Sequence, residues 1–172
     1  MSLRQILLIP DKRLKQKTEM VSSINKNELA LIDDMFETMY DAPGIGLAAP
    51  QVGILSKIIV MDCAKEEDEK PDPIAMINPE IIWTSEEMRT YEEGCLSIPD
   101  FFADVTRPEK IKVRYLDEKS KLIEREADGL LATCIQHEID HLEGKLFIDY
   151  ISRLKRERIT KKFQKLARLE RA

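Results

Sequence analysis

The sequence predicts a single α+β domain in which a strand-rich middle packs around a central helix and a C-terminal helix follows. Its 172 residues suffice for one domain, residues 1–172, with a sizeable core. Apolar residues recur at spacings of three and four over residues 26–41, as in a helix with one buried face. Residues 110–116 alternate apolar and basic side chains, as in a half-buried strand. A strand-rich middle packed on a helix is an α+β arrangement.

The first helix is predicted over residues 26–41. Asn25 is the predicted N-cap, because its side chain can accept a hydrogen bond from the first helical turn. Pro43 and Gly44 follow the helix and end it, since both residues favour turns over helix. The stripe expected to face the core comprises Leu29, Ile32, Met35, Phe36, Met39 and Tyr40.

Several short strands are predicted after that helix. Runs of strand-forming residues lie at 57–62, 75–78, 81–84 and 88–91. Residues 117–120 form a polar turn, and 121–126 are expected to pair back on the strand at 110–116. Cys63 follows the first of these runs and is interpreted as a buried strand residue. The segment 64–72 is highly charged, which is typical of a surface loop.

The central helix is predicted to start after Asp128 as N-cap and to end at Gly144. It carries the two histidines of the chain, His137 and His141, at a spacing that places both on one helix face. Glu138 flanks that face and completes the H-E-x-x-H pattern of metal-assisted hydrolysis. Two ordinary surface histidines are the alternative, but the motif favours a metal-binding helix.

A third metal ligand must come from elsewhere in the chain. The metzincin pattern needs another histidine three residues after the glycine, where the sequence has Phe147, so that class is excluded. A thermolysin-like site would use a downstream carboxylate. Glu157 and Glu170 are the candidates, and both lie in a basic, helix-like tail without the usual context.

Cysteine is the remaining type of ligand. Cys134 lies on the helix of the two histidines, but it is seven residues, about 10 Å of helix axis, from His141. One ion cannot comfortably reach both groups, because Zn–S and Zn–N bonds are only about 2.0–2.3 Å long. Cys95 lies between Gly94 and Pro99, in a segment suited to an exposed turn. Cys95 is therefore the predicted third ligand.

Composition limits the class of protein and its compartment. No apolar run approaches the length that crosses a membrane, and the N-terminus shows no pattern of a secretory signal. Three cysteines, an odd number, argue against a disulfide framework and for a reducing compartment. A cytoplasmic location without membrane attachment is therefore expected.

The C-terminal helix is predicted over residues 152–170, with Ile159, Phe163 and Leu166 on its inner stripe. Residues 153–172 contain nine Lys or Arg and two Glu, although the whole chain has a net charge of −5. A basic tail on an acidic body indicates a polyanionic partner, and a solvated helix face is the alternative.

Three short motifs give the chain a specific resemblance. GIGLAAPQ lies at residues 44–51, EGCLS at 93–97 and QHEIDH at 136–141. Their order and spacing, and the flanking sequence over nearly the whole chain, are similar to those of bacterial peptide deformylases. The resemblance implies a metal-dependent hydrolase that removes the formyl group from the N-terminal formyl-Met of new polypeptides and releases formate. A metallopeptidase of another class is the alternative, and it would cleave internal peptide bonds.

The same resemblance implies roles for individual residues. Glu138 would act as the general base. The side-chain amide of Gln51 and the backbone N–H of Leu96 would stabilise the charge that develops on the carbonyl oxygen. The backbone of Gly46 would pair with the peptide as an added strand. The implied metal ligands are Cys95, His137 and His141. The implied substrate-binding residues are Ile45, Gly46, Tyr91, Gly94, Leu130 and Cys134.

The metal and the partners follow in the same way. A Cys-His-His set suits Zn²⁺, Fe²⁺, Co²⁺ or Ni²⁺. The resemblance implies Fe²⁺ in the cell, with Zn²⁺ a common occupant. The expected partners are nascent polypeptides that carry N-formyl-Met, and the ribosome through residues 153–172.

Some positions depart from the family pattern or have two interpretations. Thr133, Asp100, Phe101 and Phe102 stand where related sequences often carry other residue types, so pocket shape and contacts beyond Met stay open. Phe101 and Phe102 are expected to pack against the sheet. Asp140 flanks the histidine face, where it either orients a ligand or makes a surface ion pair.

Overall fold

The computed structural model describes residues 2–64 and 70–171, so residues 65–69 of the predicted surface loop lie outside the described residues. The strands are β1 (Gly46–Ala48), β2 (Ile58–Met61), β3 (Ile74–Thr84), β4 (Met88–Cys95), β5 (Ile98–Pro108), β6 (Lys110–Leu116) and β7 (Leu122–Asp128). The helices are α1 (Lys26–Asp41), α2 (Gly129–Leu142) and α3 (Arg153–Arg171), with short 3-10 turns between elements. This is the predicted single-domain α+β fold with a C-terminal helix.

Five strands form an antiparallel sheet in the order β1-β2-β3-β6-β7, with β1 at one edge. Every residue of β2 is buried. Its side chains alternate, because Ile59 and Met61 pack with α2 while Ile58 and Val60 pack with α1. The sheet is therefore covered by a helix on each face. Cys63 lies beyond the end of β2 and is only half-buried, so its interpretation as a buried strand residue is wrong.

The two strands predicted at 75–78 and 81–84 are one strand, β3. Pro79 lies where the register against β6 shifts, between Ile77 and Glu80. A proline lacks the N–H that a regular ladder needs, and an irregularity tolerates it. Asn78 adopts a positive φ of 52° there, and its side chain bonds both the N–H and the carbonyl of Val21 at 2.8 and 2.9 Å. The proline therefore interrupts the ladder without ending the strand.

Helix α1 has the predicted bounds and cap. The Asn25 side chain accepts a hydrogen bond from Asn27 N at 2.9 Å, and the Glu28 carboxylate accepts one from Asn25 N at 3.0 Å. This reciprocal arrangement satisfies two backbone donors at the helix start. The inward position predicted for Tyr40 is wrong: the residue is exposed, and its hydroxyl donates to Asp62 Oδ2 at 2.6 Å. A phenol needs a polar partner, which the rim of the core supplies and its interior does not.

Helix α2 crosses one face of the sheet within the predicted bounds. Asp128 is extended and occupies the predicted N-cap position, but its side chain makes no capping hydrogen bond, and Gly144 follows the last turn of the helix. Gly144 has a φ of 76°, and a Cβ there would lie 2.5 Å from the carbonyl oxygen of Lys15. Only glycine fits this position, which fixes where the chain leaves the helix.

Strands β4 and β5 form a separate two-stranded hairpin. The predicted strand at 88–91 extends to Cys95, and β5 has no counterpart among the predicted strands. Pro99 and Pro108 lie within β5 and Asp100 has a φ of 69°, so this stretch lacks a regular strand pattern in the sequence. The inner face of the hairpin packs with α3.

Helix α3 contacts the domain through Ile159 and Phe163, which are buried as predicted. The inward position predicted for Leu166 is wrong, since that residue is exposed while Ala167 is half-buried. The buried positions follow a spacing of four, and burial ends near Ala167. No helix in the described part of the chain is long and apolar enough to cross a membrane.

Candidate metal centre and substrate cavity

Helix α2 and the hairpin bring three side chains together. His137 and His141 lie one turn apart on α2, and Cys95 is the last residue of β4. Their ligand atoms all lie within 4.8 Å of one another, and Cys95 Sγ is 3.4 Å from His141 Nε2. These three residues are called the ligand cluster below. A sulfur and two imidazole nitrogens at this separation can hold one divalent transition metal ion.

Cys134 lies outside the ligand cluster. Its thiol donates to the carbonyl oxygen of Ile45 at 3.7 Å. A hydrogen bond with Cys63 and burial raise the pKa of the Cys134 thiol well above its usual value. An uncharged, buried thiol behaves as a small apolar group, as the sequence predicts for this position. Cys95 is half-buried at the end of a strand, and not in the exposed turn that the sequence suggests.

A chain of hydrogen bonds supports the ligand cluster from behind. His137 Nδ1 lies 2.9 Å from Glu93 Oε1, and Arg107 bonds both oxygens of Glu93 at 2.8 and 3.0 Å. Arg107 Nη1 also donates to Asp140 Oδ2 at 2.8 Å, and the Tyr150 hydroxyl donates to the same oxygen at 2.7 Å. We call Glu93, Arg107, Asp140 and Tyr150 the polar network. It occupies Nδ1 of His137 and leaves Nε2 directed towards the cavity side, where it lies 3.7 Å from Glu138 Oε1.

The sequence predicts no supporting role for Glu93, Arg107 or Tyr150, and for Asp140 it leaves open whether the residue orients a ligand or makes a surface ion pair. Glu93 is the first residue of the EGCLS motif and lies two residues before Cys95 on β4, so it belongs to the same strand face, and the motif and this spacing could have identified it. Arg107 lies on the other strand of the hairpin, four residues along β5 from Ala103, the residue paired with Glu93, so local sequence does not reveal the contact. Asp140 makes an ion pair with Arg107, and the Asp140 side chain is 17% exposed. It is therefore a partly buried member of the polar network.

Burial governs the electrostatics of the site. Burial alone would lower the pKa of His137, but hydrogen bonds with Cys95 and Glu93 raise it well above its usual value. Burial and the neighbouring His137 lower the pKa of His141 well below its usual value. Burial alone would raise the pKa of Glu93, but hydrogen bonds with His137 and Arg107 lower it below the usual value. The two imidazoles therefore occupy different environments, although they share one helix face.

Glu138 lies beside the ligand cluster with an unpaired oxygen. The residue is 3% exposed, and its Oε2 is buried with no hydrogen-bond partner in the described part of the chain. Burial raises the pKa of the Glu138 carboxyl to about 7. A buried carboxylate oxygen without a donor is costly unless another group satisfies it. Together with the Cys-His-His donor set, this oxygen fits a metal centre with room for a small polar molecule beside it.

Gln51 and Leu96 lie on the other side of Cys95. The Gln51 amide oxygen accepts from Ala48 N at 2.9 Å, which fixes the amide. Its nitrogen faces Ser97 Oγ at 3.1 Å and Cys95 Sγ at 3.5 Å. Leu96 packs against Gly44, because a Cβ added to Gly44 would lie only 2.7 Å from Leu96 Cδ1. Both predicted oxyanion residues therefore line the same cavity as Glu138.

A cavity of about 530 Å³ opens beside the ligand cluster. Its walls come from β1, the hairpin and α2, and Thr133, Phe101 and Phe102 are among them. All six predicted substrate-binding residues line it: Ile45, Gly46, Tyr91, Gly94, Leu130 and Cys134. Gly46 belongs to the edge strand β1, and a Cβ there would lie 2.8 Å from Cys134 Sγ and 3.0 Å from Glu138 Oε1. A glycine at this edge lets the backbone of β1 approach α2 closely beside the ligand cluster.

Comparison with known proteins agrees with the resemblance. A family model described as polypeptide deformylase matches residues 3–157. The peptide deformylase of Methylocella silvestris is 59% identical over 172 residues, which cover 99% of this chain and 88% of that protein. The peptide deformylase of Afipia carboxidovorans is 56% identical over 169 residues, which cover 98% of each chain.

Solved structures show the same fold. A peptide deformylase from Ehrlichia chaffeensis in complex with actinonin superposes with a TM-score of 0.91 at 43% identity, over 96% of this chain and 98% of that one. One from Legionella pneumophila gives 0.87 at 44% identity, over 98% and 97%. The chain therefore belongs to the polypeptide deformylase family, the hydrolases that remove the N-terminal formyl group in protein biosynthesis.

Proposed function

We propose that the ligand cluster and its cavity form the active site that hydrolyses the formyl amide of N-formyl-Met chains. One arrangement carries the proposal: a Cys-His-His cluster and a buried carboxylate adjoin a cavity at the edge of a sheet. The reaction adds water across the C–N bond of the formamide, so the products are formate and a free amine. A metallopeptidase would need the same chemistry on internal bonds, and the family membership favours deformylation.

Cys95, His137 and His141 would hold the metal ion, which would supply Lewis acidity towards the carbonyl and towards water. The polar network would keep His137 in the orientation that presents Nε2, since Glu93 accepts from its other nitrogen. We propose Fe²⁺ as the metal in the cell, with Zn²⁺, Ni²⁺ or Co²⁺ as competent alternatives, because this donor set accepts all four. Metal analysis of protein purified without oxygen tests the assignment, and full occupancy by Zn²⁺ alone would contradict it.

Glu138 is the proposed general base and acid. It would accept a proton from the attacking water and deliver it to the departing amine nitrogen. Its position supports this role, since one oxygen lies 3.7 Å from His137 Nε2 and the other has no partner within the described residues. The carboxylate is therefore free to serve the substrate rather than the fold.

Gln51 and Leu96 are the proposed donors to the carbonyl oxygen. As that oxygen becomes negative, N–H groups already in place stabilise it without reorganisation. The Gln51 amide is held by Ala48 N and lies beside Cys95, which supports a donor role next to the ligand cluster. The backbone N–H of Leu96 would supply the second donor from the adjoining turn.

The substrate is proposed to lie along the edge of β1. Gly46 belongs to that edge, and an extended peptide can pair with it as a further strand. The Met side chain would then enter the apolar part of the cavity, which Ile45, Tyr91, Gly94, Leu130 and Cys134 line. Formylated nascent polypeptides would thus be recognised mainly through backbone and one apolar side chain.

Formate release from formyl-Met-Ala-Ser tests the proposed function directly. The same assay on acetyl-Met-Ala-Ser and on a longer unformylated peptide distinguishes deformylation from internal cleavage. We expect formate only from the formylated peptide. Cleavage of internal bonds without formate release would favour the metallopeptidase alternative.

We also propose that α3 docks the enzyme on the ribosome, in the cytoplasm where formylated chains emerge. Nine Lys or Arg in residues 153–172 oppose two Glu, and the positions that hold α3 to the domain are the apolar Ile159 and Phe163. Exposed cations on a docked helix would bind polyanionic RNA, and salt would weaken that binding.

Charge neutralisation tests the docking better than truncation, because truncation would expose the core that Ile159 and Phe163 cover. Gln would replace four exposed residues of α3: Lys155, Arg158, Lys161 and Lys165. The matched control neutralises four exposed lysines elsewhere: Lys17, Lys26, Lys119 and Lys121. We expect only the α3 variant to lose co-sedimentation with ribosomes at low salt. Equal sedimentation of both would contradict the docking.

A further inference from the structure

Two adjacent aromatic residues of β5 have opposite environments. Phe101 packs edge-to-face on Phe163 of α3, with ring centroids 5.8 Å apart. Phe102 is 66% exposed and lines the mouth of the cavity. Successive side chains of a strand point to opposite faces, which explains the difference. The sequence predicts that both residues pack against the sheet, but Phe101 packs on α3 and Phe102 is exposed. The ring of Phe102 is therefore accessible to a ligand in the cavity.

The hairpin fixes where the Phe102 ring lies. Phe102 is paired with Gly94 across the ladder, and a Cβ on Gly94 would lie 2.6 Å from its Cε1. The ring therefore occupies the space that a side chain at position 94 would fill. Ile45, which precedes the edge strand β1, also lines the cavity and is 42% exposed. Two exposed apolar side chains therefore belong to the cavity into which the peptide is proposed to bind.

The exposed charged side chains that line the cavity are acidic. Glu92 and Asp100 line the cavity and are exposed. No Lys or Arg is among the lining residues in the described part of the chain. Exposed carboxylates in the lining disfavour an acidic substrate side chain, whereas the Phe102 ring gains by being covered with an apolar one. Nearby cations lie over other rings, with Lys162 5.0 Å from the Phe101 ring and Arg89 4.4 Å from the Tyr91 ring.

We propose that Phe102 is a specificity-determining residue that favours an apolar or aromatic side chain at the second or third position of the formyl-Met chain. This inference rests on the proposed function, since it concerns the peptide beyond the Met pocket. The contact lies away from the reacting carbonyl, so it acts on binding and changes KM more than kcat.

Two peptide series test the inference. Formyl-Met-Xaa-Ser and formyl-Met-Ala-Xaa would carry Phe, Leu, Ala or Asp at Xaa, and kcat/KM would be measured from formate release. For the unmodified enzyme we expect Phe and Leu to exceed Ala by about 10-fold in at least one series, the usual scale of one apolar contact, with Asp the poorest. Phe102→Ala and Phe102→Gln should reduce the Phe-to-Ala ratio to below about 2-fold, mainly through KM.

The matched control is Trp83→Ala, which removes another exposed aromatic side chain, one that does not line the cavity. It should keep the full Phe-to-Ala ratio. Equal values for Phe, Leu and Ala in both series, or an unchanged ratio in the Phe102 variants, would overturn the inference while deformylation stands. Absence of formate release from every formyl peptide would instead overturn the proposed function, and the inference with it.

Discussion

The two sides of the ligand cluster differ in how fully their polar groups are hydrogen-bonded. Behind it, Arg107 and Glu93 each have 5% of their side chains exposed, and the bonds of the polar network measure 2.7 to 3.0 Å. In front of it, the cavity is lined by glycines, apolar side chains and a carboxylate oxygen with no partner among the described residues. The polar network behind the cluster holds His137 in one orientation, while the cavity in front leaves space and an unpaired acceptor for a substrate.

This contrast predicts different responses to substitution. A buried, fully paired charge is costly to disturb, because its partner is left unpaired at low dielectric. Changes at the open front remove contacts that only the substrate makes, so they affect activity with little effect on folding. Loss of the ligand cluster between the two sides should exceed both effects.

The largest effect is expected for the ligand cluster. Cys95→Ala should lose bound metal and activity to background, because two imidazoles alone bind a divalent ion weakly. Cys134→Ala is the matched control and should retain the metal, since its thiol bonds Ile45 O outside the cluster. Metal content by elemental analysis decides between them. A stoichiometric metal in Cys95→Ala would contradict the assignment.

The front of the cluster is tested by Glu138→Gln. The substitution keeps the shape of the side chain but removes its basicity, so kcat should fall by about 10²–10⁴. Metal content and the unfolding midpoint should stay close to those of the unmodified enzyme, because no described residue depends on Glu138 Oε2. Near-normal turnover in this variant would remove Glu138 from the proposed role.

The back of the cluster is tested by Arg107→Met. The change leaves Glu93 and Asp140 without their buried partner, which should cost about 3–5 kcal/mol in the free energy of unfolding. Metal affinity should also fall by about 10- to 100-fold, because Glu93 no longer holds His137 firmly. Urea unfolding and metal competition with a chelator measure the two effects.

The control for that experiment is Arg114→Met. Arg114 pairs with Glu124 at 2.7 Å on the surface of the sheet, with both side chains well exposed. Water screens this pair, so we expect little change in stability and none in metal affinity. If Arg107→Met and Arg114→Met behave alike, the polar network is no more than a surface ion pair.

The smallest effect is expected at the outer end of the polar network. Tyr150→Phe removes one hydrogen bond to Asp140, worth about 0.5–1.5 kcal/mol, while Arg107 still holds that carboxylate. Tyr40→Phe removes a similar bond to Asp62, far along the chain from the ligand cluster. We expect comparable losses of stability but faster metal dissociation only for Tyr150→Phe. If the metal dissociates equally fast from both variants, Tyr150 does not support the ligand cluster, and only Glu93, Arg107 and Asp140 do.

Parts of the fold and of the site can be predicted directly from local sequence. The spacing of His137 and His141 is a property of one helix, and the capping pair at the start of α1 lies within four residues. The structure brings Cys95 to those histidines, as the motif predicts. Local periodicity and short motifs suffice where the interacting groups share one element or one family signature.

Other parts depend on contacts that no local pattern encodes. Arg107 and Glu93 lie on different strands of the hairpin and are not opposite each other in its register, so no local pattern reveals their contact. The strand β5 itself lacks a regular sequence pattern, because it contains two prolines and a residue with positive φ. Leu166 has the spacing of an inner residue, yet the buried stripe of α3 continues from Phe163 to Ala167 and leaves Leu166 exposed. These errors have a common origin, since tertiary packing and not sequence periodicity decides which residues are covered.

The neighbouring residues Phe101 and Phe102 belong to two different surfaces of the molecule. Phe101 seats α3, and the next residue along the same strand stands at the mouth of the cavity. If a ligand bound to the basic helix moved Phe101, the adjacent Phe102 would move as well and peptide affinity would change. By reciprocity the peptide would change the affinity for that ligand by the same factor. The proposed choice of substrate and the proposed attachment through α3 would then be thermodynamically linked.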